Sequence, residues 1–272
     1  MRRTCRTALA AAALLSLATL SAPSDAAERW VDRPMTQHQL VFAGDAGLGI
    51  GHFRFRGPFN NDVSRTGLGM NLEGALGVTE RLELGFRTGV RFGNDGRATG
   101  ADYYARTLWT ETYGTGNDAV ANPELRIRWV AYSGSIAEVG LDGRVFLPVE
   151  EGTRFGLMFG VPLTFHVSDI ARIDTGVYIP ILFYNPTVNG LSIPGYFWFQ
   201  TSEKLWLGPM AQLRFIGAGS GDHDAHLLLG FGLGYQVASA VDLKTMILFP
   251  TVDDDFVRQV GAGFGVQFRL GE

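Results

Sequence analysis

Two short clusters in this chain carry residue types able to do covalent or metal chemistry. His166-Val167-Ser168 sets an imidazole two positions before a hydroxyl, the parts of a nucleophile and its base. Asp222-His223-Asp224-Ala225-His226 alternates carboxylates with imidazoles, and Asp253, Asp254 and Asp255 add acid further on. Asp222, Asp224 and His226 are thus weak candidate ligands for a divalent cation, with Asp224 and His226 alternatively a base pair for activating water. A third and larger set is spread along the chain. It comprises Glu73, Glu83, Arg87, Arg91, Arg126, Arg128, Glu138, Asp142, Arg144, Asp174, Tyr178, Lys204, Arg214, Asp242 and Lys244, with Asn71, Gln212 and Gln267 among them. Charges of both signs facing one water-filled space would set up a transverse field and sort solutes by polarity.

What must position these residues is an alternating pattern. Leu82, Leu84, Phe86, Thr88, Val90 and Phe92 interleave with Glu83, Gly85, Arg87, Gly89 and Arg91. Successive side chains of a strand point to opposite faces, so this is a strand with one apolar and one charged face. The pattern recurs over 39–52, 66–78, 82–93, 123–132, 136–149, 154–167, 171–183, 194–201, 204–216, 225–237, 241–250 and 257–270. Pro180 and Pro209 fall inside two of these segments, where each removes a ladder donor and marks an irregularity. The connections alternate between short turns, such as Thr79-Glu80-Arg81 and Ala238-Ser239-Ala240, and longer loops, the longest being 93–122. An even number of such strands with this asymmetry predicts an all-β fold: a single antiparallel transmembrane β-barrel of about twelve strands, with ten or fourteen as near misses. Short turns are expected in the periplasm and long loops outside the cell.

Alternation by itself leaves open which face meets lipid. Aromatics decide the expectation. Phe92, Phe155, Phe183, Phe215 and Phe249 fall at the loop ends of the apolar face, and Trp129, Phe165, Phe199, Tyr235 and Phe268 at the turn ends. Two aromatic girdles around Leu, Val and Ile suit two bilayer interfaces.

The N-terminus agrees. Arg2, Arg3 and Arg6 precede an apolar stretch from Ala8 to Leu20 and small residues up to Ala27, the layout of a secretory signal. Residues 1–27 are therefore expected to be removed by cleavage near Ala26 or Ala27, leaving 28–38 as a periplasmic segment or small plug, with the tail preferred, and 39–272 as the barrel. Removal takes away three Arg and one Asp and moves the formal charge from −4 to −6. An acidic chain without a basic run is a poor nucleic-acid binder. The single cysteine, Cys5, lies in the signal, so disulfide and thiolate chemistry is excluded from the mature chain. No cofactor is expected.

Gly77-Val78-Thr79-Glu80-Arg81-Leu82-Glu83-Leu84-Gly85 resembles the tight-turn segments of porin-like and transporter-like outer-membrane barrels. Val260 to Leu270 is similar to the last strand by which such proteins engage the barrel-insertion machinery, although this chain ends in Gly271-Glu272 instead of an aromatic residue. The His-x-Ser spacing also matches outer-membrane phospholipases and deacylases, but here alternation points His166 inward. Asp224 and His226 resemble the Asp-x-His pair of rim-located outer-membrane proteases, which have ten strands and a second acidic pair not found here. The resemblance implies outer-membrane lipid and lipopolysaccharide as surroundings, and no specific solute.

The leading expectation is a passive channel or uptake protein for a small solute, selective through its luminal charges. Tyr103, Tyr104, Trp109 and Tyr113 in loop 93–122 are candidates for a constriction or an external binding surface. The rival is a closed structural or surface-binding barrel in which the same charges pair with one another. A rim hydrolase comes third, and the protein is expected not to be an enzyme.

Overall fold

The computed structural model describes residues 28–56, 62–92, 101–102, 107–108, 120–149, 154–183, 187–218, 222–250, 252 and 259–271. Its strands are β1 (Phe42–Arg56), β2 (Asp62–Thr79), β3 (Leu82–Phe92), β4 (Ala101–Asp102), β5 (Thr107–Leu108), β6 (Val120–Ser133) and β7 (Ala137–Phe146). They continue with β8 (Gly156–Ser168), β9 (Ala171–Leu182), β10 (Val188–Gln200), β11 (Leu205–Ala218), β12 (Asp222–Ala238), β13 (Val241–Phe249) and β14 (Gln259–Leu270). All but β4 and β5, which pair only with each other, form one closed barrel of twelve strands. Each barrel strand lies antiparallel to the next barrel strand along the chain, β3 pairing with β6, and β1 closes the circle on β14 from Phe42↔Leu270 to Phe53↔Gln259. Closure removes the open sheet edges that a membrane does not tolerate.

Inside and outside follow the alternation. On β7, Glu138, Asp142 and Arg144 are buried while Leu141 is exposed. Around the circumference the exposed set includes Leu72, Phe86, Ile127, Phe159, Ile179, Phe197, Leu213, Phe231, Ile247 and Phe264. Apolar groups outside and charges inside invert the arrangement of a soluble barrel. The girdle residues Trp129, Phe155, Phe183, Phe199, Phe215, Tyr235 and Phe268 are all on this outer face. Phe155 and Phe183 stack with centroids 5.9 Å apart.

The prolines sit inside strands, and each opens one ladder. Pro209 pairs in register with Phe231 on β12, but the β10–β11 ladder skips from Tyr196↔Met210 to Phe199↔Leu207 beside it. Pro180 and Pro194 face the same seam, where the β9–β10 pairing jumps from Asn189↔Ile181 to Ser192↔Tyr178 and then to Gly195↔Thr175. A missing amide proton cannot hold a rung, so the strand survives and the seam loosens. The eighth barrel strand accordingly begins at Val188, earlier than the pattern from 194 predicts.

One expectation is corrected here. Segment 28–38 is not a free tail. It enters the barrel at the turn end, with a short 3-10 turn at Trp30–Asp32. Trp30, Val31, Arg33, Met35 and Thr36 are all buried.

Candidate functional site

The lumen has two unlike halves. On β2, β3 and β6–β9 the wall is ionic. Glu73, Arg87, Glu124, Arg144, Asp142 and Arg128 form a continuous chain, with successive N···O separations of 3.7, 2.6, 3.0, 2.8 and 2.6 Å. Below it Arg126 reaches Glu83 at 2.7 Å. Arg172 donates to Asp174 at 2.9 Å, and the Thr164 hydroxyl donates to the same carboxylate at 2.8 Å. Each carboxylate sits on the strand beside its guanidinium or two residues away on the same face, so strand register creates the pairs. Among the described residues, these wall charges largely neutralise one another.

On β10–β13 the lumen carries an apolar cluster beside a few polar groups. Tyr196, Trp198, Trp206, Met210, Leu228 and Leu248 form one buried cluster, which Trp30 of the N-terminal segment joins. Trp206 is 0% exposed because its ring lies across β12 at Gly234, where an added Cβ would come within 2.1 Å of the indole. Only glycine admits that approach. At the turn end of this half, Asp242 accepts from Arg33 and Arg269, both at 2.6 Å. Lys244 pairs with Asp45 and donates to Gln267 at 2.9 Å.

The N-terminal segment is stitched across the turn end. The Met35 amide donates to Glu138 at 2.8 Å, and the Gln37 amide donates to Glu83 at 2.8 Å. Arg172 donates to the carbonyls of Trp30 and Arg33. Trp30 stacks parallel on Trp206 and edge-on to Trp198, with the Arg33 guanidinium 5.2 Å from the Trp30 ring centre. Carboxylates that the sequence places as wall charges therefore also grip main-chain amides of the plug.

The candidate residues distribute as follows. Glu83, Arg126, Arg128, Glu138, Asp142, Arg144, Asp174, Tyr178, Arg214, Asp242 and Lys244 face the lumen and are buried. Glu73 and Arg87 face it half-buried. Lys204 does not belong to this set. It lies in the exposed turn between β10 and β11, where its carbonyl accepts from Gln236. The side chains of Arg91, Asp222 and Asp224 lie outside the described residues, as do Tyr103, Tyr104, Trp109, Tyr113 and Asp253 to Asp255. His226 is on β12, opposite Arg214. No cluster of potential metal ligands occurs among the described residues.

His166 and Ser168 are not joined as base and nucleophile. The His166 ring bonds the Val31 carbonyl at 2.9 Å and Glu138 at 3.0 Å, so it fastens the plug. Ser168 is exposed at the end of β8, where its hydroxyl accepts from the Ile170 amide of the following turn. The sequence reading missed Glu124, Arg172 and Arg269, although their parity matches that of Arg126, Asp174 and Gln267. It also missed the luminal aromatics Tyr196, Trp198 and Trp206, whose parity opposes that of Phe197, Phe199 and Leu207.

An outer-membrane channel from Pseudomonas putida F1 superposes with a TM-score of 0.61 at 10% identity, covering 92% of this chain and 100% of that one. The fold is that of an outer-membrane porin barrel. The NanC porin superposes with a TM-score of 0.58 at 9% identity over 82% of this chain and 100% of that one. For the KdgM porin the values are 0.53, 9%, 82% and 98%. No family model and no curated protein sequence matches the chain.

Proposed function

We propose that this chain is an outer-membrane barrel for passage or uptake of a small solute, entering the membrane after loss of residues 1–27. The observation that carries the reading is the two-sided lumen, an ionic wall of β2, β3 and β6–β9 facing the apolar cluster of β10–β13. A purely structural barrel needs no such division, whereas a polar solute with an apolar part is served by both walls. The kinship of fold with NanC, KdgM and the P. putida channel supports it. No bond-making step is assigned to the protein. The segment carrying Trp30, Arg33 and Met35 lies across the turn end, so a solute passes only where that segment yields. The test is planar-bilayer conductance of the purified mature chain beside a chain lacking residues 28–38. Steps that are small or rare in the first and larger in the second support the reading.

The rival closed barrel draws on a specific observation as well. The wall cations are paired, from Arg87–Glu124 at 2.6 Å to Arg128–Asp142 at 2.6 Å, and paired charges can serve purely as a polar core. Silence of both chains across salts and solutes would establish it over the channel.

A further inference from the structure

Among the described residues, the lumen neutralises its arginines with one exception. Arg87, Arg126, Arg128, Arg144, Arg172 and Arg269 each meet a carboxylate. Arg214, on the same inward face of β11 as Trp206 and Met210, is only 4% exposed. Among the described residues its guanidinium makes no ion pair and no hydrogen bond, and its Nε is sealed from solvent without an acceptor. Two positions away on that face, Gln212 donates its amide to the Ser192 hydroxyl and leaves its Oε1 buried without a donor. Register sets Ser192 and His226 on either side of Arg214.

A buried guanidinium without an anion is costly, and a buried acceptor without a donor adds to that cost. The planar fork of arginine is matched by a carboxylate, to which it donates in parallel. Toward the turn end the same wall is apolar, with Leu228, Met210 and Tyr196 following one another across β10–β12. A cationic fork at the head of an apolar strip fits a molecule with an anionic end and an apolar body. Chloride or another simple anion would use the fork and leave the strip unoccupied.

We propose that Arg214 is the anion-recognition point of the lumen, binding the carboxylate of a small organic acid whose apolar or aromatic body packs along Leu228, Met210 and Tyr196. This rests on the solute-passage reading and adds the class of solute to it. The Gln212 carbonyl oxygen accepts from a hydroxyl or amino group where the acid carries one. Arg214 is then the side chain that distinguishes an acid from its neutral analogue.

Benzoate is the probe, titrated calorimetrically into the detergent-folded mature chain, with benzyl alcohol and acetate as the neutral and short analogues. Saturable benzoate binding, weakened about tenfold or more in Arg214→Gln, is expected, since a charge-assisted pair is worth at least that factor. Benzyl alcohol and acetate should each bind at least about tenfold more weakly, one lacking the charge and the other the body. Arg214→Lys keeps the charge without the fork and should fall between native and Arg214→Gln, which guards against a folding defect in the latter. Unchanged affinity in both variants overturns the proposal, as does benzyl alcohol binding equal to benzoate, or no saturable benzoate binding by the native chain. Conductance steps without benzoate binding sink this site and leave the channel; benzoate binding by a chain that never conducts sinks the channel and leaves the site.

Discussion

The indole rings of Trp30 and Trp206 lie parallel, with their centroids 4.9 Å apart. One ring belongs to the N-terminal segment and the other to the barrel wall, so this contact joins the segment to the barrel. Their exposures are 5% and 0%, and Arg33 lies over both rings. Trp30→Ala is expected to remove about 3–5 kcal/mol of packing, as loss of a buried Trp does. The loss should fall on the segment and leave the barrel intact. Limited proteolysis near residues 28–38 should quicken, while the strand content by circular dichroism stays unchanged.

Asp242 holds two guanidiniums at once, Arg33 from the segment and Arg269 from β14. Asp242→Ala would strand both, an effect of about 3–5 kcal/mol for breaking a buried pair. Arg269 also donates to the Ser239 carbonyl of the barrel, whereas the other acceptor of Arg33 is the Glu28 carbonyl of its own segment, so the wall side should recover better than the plug side. The checkable result is a higher open probability in bilayers than native, with the same barrel content by circular dichroism.

Gly77 leaves no room for a side chain, since an added Cβ would come within 2.0 Å of the His38 carbonyl oxygen and 2.5 Å of that of Gln37. Gly77→Val should therefore expel the end of the segment without disturbing the ladder from β2 to β3. Limited proteolysis within residues 28–38 should be slow in the native chain and quicken in the valine variant. Equal rates would refute the steric role.

Glu80 lies in the turn between β2 and β3, outside the spanning strands. The Gln39 amide donates to it at 3.2 Å, and the His38 ring lies 3.4 Å away. These contacts, the amide first, hold its carboxyl below the ordinary glutamate range. A depressed folded value contributes stability that is present above the unfolded value and lost as pH falls through the folded one. Anchoring of residues 38–39 should thus be full at neutral pH and fade only in acid, below the usual glutamate pKa. Glu80→Gln should lack that dependence, read as the pH profile of segment proteolysis; identical profiles would contradict it.

The seam between β9 and β10 carries Pro180 and Pro194 and two gaps in its pairing, where the β7–β8 and β10–β11 seams have one each. Amide hydrogen exchange should be fastest along it among the barrel seams, and Pro194→Ala should slow exchange there where a rung can re-form. By contrast the β1–β2 pairing runs without a break from Phe42↔Leu76 to Arg56↔Asp62 and should protect its amides best.

Much of the wall was legible because it rests on local rules. Leu82 to Phe92 alternates in sequence and occupies β3 with the same two faces. The turns at 80–81, 169–170 and 239–240 fall where the pattern breaks. Lys204 was misplaced because the run Glu203-Lys204-Leu205 extends the alternation by one step past the true strand end. Ser202 caps the turn instead, accepting from the Leu205 amide at 3.2 Å. Trp198 and Trp206 were missed as luminal residues because they interleave with other large apolar groups, which hides the period of two.

Sequence alone determined the twelve ribbons, their two faces and the hand-over from short turns to long loops, since each depends on residues a few positions apart. Tertiary structure decided what lies inside. Register across strands 14 to 43 residues apart chose Arg128 for Asp142 and Arg126 for Glu83, and left Arg214 without a carboxylate among the described residues. It also drew segment 28–38 inward, because only the closed wall brings Glu83, Glu138, Arg172, Trp206 and Asp242 around one space where the segment's amides, carbonyls and Trp30 find partners.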